Sequence, residues 1–114
     1  MRSFDVETRT EDDVSVVSVA GTVDAVTAPR LAEALQAEVA AGRPRLVVDL
    51  SGVDYVSSSG LRAILAGVKS ARSAGGGLAV AAVRAPVRQV FELAGLTTIV
   101  GFHDDVAAAA ASLR

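Results

Sequence analysis

No cysteine occurs among the 114 residues, which removes disulfides, thiolate zinc sites and thiol nucleophiles and fits a reducing compartment. Aromatic residues are scarce at 4%, and 11 basic against 13 acidic side chains leave a net charge of −2. Nucleic-acid binding needs a cationic field and rings for base stacking, so nucleic acid is not an expected partner. His103 is the only histidine, too few for a histidine-rich metal site, and its place just before Asp104 predicts a loop or helix-start role. No metal and no cofactor is expected. No stretch approaches the roughly 20 apolar residues of a membrane span, and Met1-Arg2-Ser3-Phe4-Asp5 runs into mixed charge with no apolar leader. The expectation is a soluble, cytoplasmic protein with no membrane partner.

What the chain does have is aliphatic residues, 51% hydrophobic in all, at a length suited to one continuous core and too short for two domains around a cleft. Residues 1–114 are therefore expected to form a single domain.

Phe4, Val6 and Thr8 alternate with charged neighbours, the period of a strand wet on one face. Val14 to Ala20 follows after Glu11-Asp12-Asp13, a link too short for a parallel crossover, so an antiparallel hairpin is predicted. Thr27 as cap, Pro29 in the first turn and Leu31, Leu35 and Val39 on one face predict a helix that Gly42 ends. Leu46 to Leu50 reads as a buried central strand. Leu61, Ile64, Leu65 and Val68 then line one face of a helix from Ser58 to about Arg72, with Arg62 on its solvent side. Leu78 to Val83 predicts a further strand, Pro86 to Ala94 a helix, Thr97 to Val100 a last short strand, and Val106 to Leu113 a final helix behind Asp104 and Asp105. This order calls for an α/β domain with a mixed, mainly parallel sheet and about four helices.

The most informative stretch runs from Val48 to Leu61: a buried strand, a polar loop and Ser57-Ser58-Ser59-Gly60 opening a helix. One serine caps a helix start. Three in a row leave two hydroxyls without that task, exposed and unbranched, as a kinase requires of an acceptor. A phosphate there adds about −1.5 to −2 charges, and a helix N-terminus tolerates an anion.

Gly21-Thr22-Val23-Asp24 after the second strand, Val47-Val48-Asp49-Leu50-Ser51 with Val53-Asp54-Tyr55, and Ser58-Ser59-Gly60-Leu61 together resemble the STAS domains, and within them the bacterial anti-sigma-factor antagonists. The resemblance covers nearly the whole chain. In that family the serine after the aspartate of an Asp-Ser-Ser-Gly or Asp-Ser-Thr-Gly motif is phosphorylated by an anti-sigma factor that is itself a serine kinase. Unmodified members bind that factor and modified ones release it. The resemblance implies Ser58 as acceptor, with Ser57 and Ser59 as alternates, and places Asp24 near it. It implies an anti-sigma factor serine kinase and a phosphoserine phosphatase as partners, with Thr22, Asp24, Ser57, Ser59, Gly60 and Arg62 on the partner-binding surface. The sequence departs from the motif at Ser57, where the family usually has aspartate.

From the residues alone, Asp24 also reads as a turn cap. Asp49 and Asp54 are not spaced as a catalytic carboxylate pair, and Asp54 reads as a turn residue. No G-x-S-x-G elbow surrounds the serines, and Gly75-Gly76-Gly77 lies before a strand, unlike a phosphate-cradling loop. No catalytic residue is identified and an enzyme is not expected. The alternative is a STAS adaptor of another complex, stressosome-like or lipid-transport-associated, without phosphorylation control.

Overall fold

The computed structural model describes residues 4–114; Met1, Arg2 and Ser3, read above as part of the charged start of the chain, lie outside the described residues. Two strands, β1 (Phe4–Glu11) and β2 (Val14–Val23), form the antiparallel hairpin that the alternation predicts, with Phe4 opposite Gly21 and Glu11 opposite Val14. Then follow α1 (Ala28–Ala40), β3 (Arg45–Val56), α2 (Ser58–Ser73), β4 (Gly77–Ala81), α3 (Ala85–Leu93), β5 (Gly101–His103) and α4 (Val106–Ser112). The sheet order is β1-β2-β3-β4-β5, and every neighbour pair after the hairpin is parallel.

Both faces of the central strands are covered, which is why they read as unbroken apolar runs. Val17 and Val19 of β2 and Leu46, Val48 and Leu50 of β3 pack under α1, α2 and α3, where Leu31, Leu35, Ile64, Val68 and Phe91 complete the larger core. Val14, Val16 and Val47 point the other way and meet Ala79, Ala81, Ala109 and Ala110 beneath α4. Within the alanine run of α4, Ala109 and Ala110 thus form the close-packing face while Ala107, Ala108 and Ala111 are exposed, and Asp105 caps that helix by accepting from Ala108 N at 2.8 Å.

Three local expectations are corrected. The last strand is not Thr97–Val100: the amides of Ile99 and Val100 both donate to the Leu96 carbonyl, holding those residues in turns, and the strand forms at Gly101–His103 beside β4. His103 is therefore a strand residue. Thr27 does not cap α1 through its side chain; it has helical dihedrals, and its hydroxyl accepts from Asp24 N and donates to the Thr22 carbonyl. The third correction concerns β3, which continues past Leu50 to Val56, so that Asp54 lies in a strand and not in a turn. Two register irregularities against β2 absorb the polar residues of this extension. Pairing with β4 stops at Asp49, and beyond it the Ser51 carbonyl accepts from Arg84 Nε at 2.8 Å. The extension carries the chain to the foot of α2.

Candidate functional site

All of the parallel strands end on one side of the sheet, and there the turn after β2 meets the start of α2. The Ser57 amide donates to the Val23 carbonyl at 2.8 Å. Ser57 has extended dihedrals and is the N-cap of α2, its Oγ accepting from the Gly60 amide at 3.4 Å. The capping task open to any one of the three serines therefore falls to Ser57. An aspartate caps in the same manner, so a serine at this position preserves the geometry of the helix start.

Ser58 is the first helical residue and is exposed; Ser59 is half-buried. Neither side chain has a hydrogen-bond partner among the described residues. Of the three hydroxyls, Ser58 combines the greatest access with no structural task.

Gly60 is buried, and a Cβ there would lie 2.7 Å from Val23 Cγ1 and 2.8 Å from Val56 Cγ1. The first turn of α2 thus rests directly on the ends of β2 and β3, a distance only glycine permits. Asp24 is half-buried in the adjoining turn, where its carboxylate accepts from Val26 N at 2.9 Å and Thr27 N at 3.1 Å. The turn-capping reading of Asp24 holds, at a position one residue from the Val23 carbonyl that binds Ser57.

Thr22 is only 4% exposed. Its place is beneath the surface, where Oγ1 donates to Asp54 Oδ1 at 3.1 Å across the irregular pairing of β2 and β3. Arg62 is exposed and lines a shallow depression with Ser59, Ala25 and Pro29. Two apolar side chains that sequence reading did not single out flank the site along the chain: Val26, 83% exposed in the Asp24 turn, and Tyr55, 50% exposed two residues before the cap. Alternation marks neither, because their exposure follows from the turn and the strand irregularity.

An ion pair with a buried carboxylate lies at the opposite end of the sheet. Glu38 is buried, accepts from Ser15 Oγ at 2.7 Å and from Arg43 Nε at 2.8 Å. The Arg43 hydrogen bond, assisted by Ser15 and opposed by burial, holds its carboxyl below the ordinary glutamate value. This is a structural pair, remote from the serines. Among the described residues no group of three or more histidine, aspartate and glutamate side chains is arranged to hold a metal ion, and no helix is long and apolar enough to cross a membrane.

A five-stranded mixed sheet, helices on both faces and a serine-led helix at the strand ends define a small α/β domain of one sheet between two helical layers. The family described as Mlab, STAS domain matches residues 6–101, and the chain belongs to the STAS family. The Bordetella bronchiseptica protein BtrV, named for anti-sigma factor antagonism, is 35% identical over 103 residues, covering 90% of this chain and 89% of that protein. The crystal structure of an anti-sigma factor antagonist from Mycobacterium paratuberculosis superposes with a TM-score of 0.85 at 34% identity, covering 98% of this chain and 95% of that one. The Bacillus cell fate determinant SpoIIAA in its phosphorylated form shares the fold, with a TM-score of 0.74 at 16% identity, covering 98% of this chain and 100% of its own.

Proposed function

We propose that this chain is an anti-sigma-factor antagonist that switches partners through Ser58. Unmodified, it binds an anti-sigma factor serine kinase in the cytoplasm and so frees a sigma factor. In the kinase's active site the Ser58 hydroxyl loses its proton and attacks the γ-phosphorus of ATP, ADP leaves, and the modified chain is released. A phosphoserine phosphatase resets it by hydrolysis. The chain itself is the substrate and binding module, and the kinase supplies the catalysis.

The observation that carries this reading is the division of labour among the three serines. Ser57 caps the helix, Ser59 is half-buried, and Ser58 stands exposed with no partner among the described residues. Relatives named for anti-sigma factor antagonism supply the partner class. Val26 and Tyr55, exposed in the segments that adjoin the Asp24 turn and the helix start, offer apolar contact area, and a partner packed over the start of α2 must desolvate whatever Ser58 carries. Desolvating a dianion without full compensation is costly, and a loss of about 2.8 kcal/mol weakens binding roughly a hundredfold.

The test is intact-mass and peptide mass spectrometry of the chain and of Ser58→Ala after incubation with ATP and candidate anti-sigma kinases of the same genome. A single phosphate on Ser58, absent in the variant, is the expected result. Tight binding to a partner with no phosphate from any kinase would overturn it in favour of an adaptor module of a stressosome-like or lipid-transport-associated complex.

A further inference from the structure

Nine arginines lie among the described residues, and eight of them have a partner for the guanidinium. Arg9, Arg43, Arg45 and Arg114 pair with carboxylates. Arg72 and Arg84 donate to backbone carbonyls, and Arg30 and Arg88 lie over phenylalanine rings. Arg62 is the exception: exposed, with no hydrogen bond, ion pair or ring contact among the described residues. Its own helix cannot supply one, since α2, from Ser58 to Ser73, contains no aspartate or glutamate.

Arg62 stands four residues after Ser58, and both are within the α-helix. Residues at that spacing are neighbours on one helix face, with Cβ atoms about 5–6 Å apart, and an anion N-terminal to its cation is the favourable order. The spacing is rigid here. The hydrogen bond from the Ser57 N–H to the Val23 carbonyl and the close seat of Gly60 on Val23 and Val56 fix the first turn, so adding a group at Ser58 leaves Arg62 one turn away. A guanidinium binds phosphate oxygens in a bidentate fork that a lysine cannot reproduce.

We infer that Arg62 is the intramolecular receiver of a phosphate on Ser58. The inference rests on the assignment of Ser58 as the modified serine. Modification then changes two charges on the partner-facing surface at once: a dianion appears, and the one uncommitted arginine is drawn onto it and withdrawn from any acidic group on the partner. A glycine or apolar residue at position 62 would leave only the first of these effects.

The test uses the full chain with phosphoserine encoded at position 58, so that it does not depend on any kinase. Phosphorus NMR follows the second ionisation of the phosphate with pH. In the native background the midpoint is expected about 0.2–0.4 pH units below that of Arg62→Gln, the scale of an exposed ion pair at this spacing. The difference should shrink in 1 M salt and be partly kept by Arg62→Lys. Equal midpoints in the native and Arg62→Gln proteins, each shown folded by its amide spectrum, would overturn the inference. Should kinases fail to modify Ser58 while the encoded phosphate still shows the shift, the functional reading falls and the pairing stands.

Discussion

Gly60 and Val23 approach so closely that a single added Cβ would lie 2.7 Å from the valine Cγ1. This contact sets the height of α2 above the sheet and with it the position of Ser58, two residues earlier on the same turn. Gly60→Ala should therefore destabilise the fold by about 1–2 kcal/mol, overpacking outweighing the helix-propensity gain of roughly 1 kcal/mol. Urea unfolding measures the loss, and amide shifts confined at first to Ser57–Leu61 and Val23 would locate it.

Ser57→Ala removes the side-chain cap. The bond is long at 3.4 Å, so the expected cost is about 0.5 kcal/mol, at the low end for caps. Ser57→Asp should keep the cap and add a favourable charge at the helix start, for stability equal to the native chain or up to about 0.5 kcal/mol above it. Denaturation midpoints of the two variants, measured side by side, decide this.

Glu38 makes stability depend on acid. Its folded-state value is depressed, chiefly by the Arg43 hydrogen bond, so the unfolded chain binds the proton at higher pH than the folded one. The contribution is complete above the unfolded glutamate range near pH 4.3 and is lost as the pH falls through the lower folded value. Glu38→Gln should lower stability by about 1–2 kcal/mol at pH 7, the scale of a charged hydrogen bond to a partly exposed partner. The gap between the two proteins should narrow in a denaturation series as the pH falls below the unfolded glutamate range.

Ala82, which follows β4, has φ +56°, in the left-handed region, while its amide donates to the His103 carbonyl at 2.9 Å. Ala82→Gly relieves the steric cost of that conformation but adds backbone entropy to the unfolded chain. A net gain of about 0.5–1 kcal/mol is expected, seen as a higher melting temperature, whereas the β-branched Ala82→Val should lower it.

Val26 carries its apolar side chain 83% exposed. Val26→Asp should change the unfolding midpoint by no more than about 0.5 kcal/mol, as for surface substitutions generally. On the proposed function it should weaken capture of the anti-sigma partner severalfold, read by titration calorimetry. Unchanged affinity would remove this turn from the contact surface.

The sequence by itself determined the hairpin, the central strands and the four helices, because their period-two or period-3.6 apolar patterns lie on single elements and each pattern is sufficient for its own element. It also singled out the serine cluster, since three hydroxyls exceed what one cap requires. Tertiary structure decided which serine does what: the Ser57 amide finds the Val23 carbonyl, 34 positions earlier in sequence, and only that pairing leaves Ser58 as the exposed hydroxyl. The same holds for the extension of β3 through Ser51, Gly52 and Asp54, residues whose local preference is for turns but which β2 and Arg84 hold in the sheet. Thr97 to Val100 shows the reverse, β-branched residues that two bonds to the Leu96 carbonyl keep out of it. Arg62 illustrates the limit most plainly: its place four residues after Ser58 on a helix without acidic residues is legible in the sequence, but its lack of a partner among the described residues is known only once the partners of the other arginines have been placed in space.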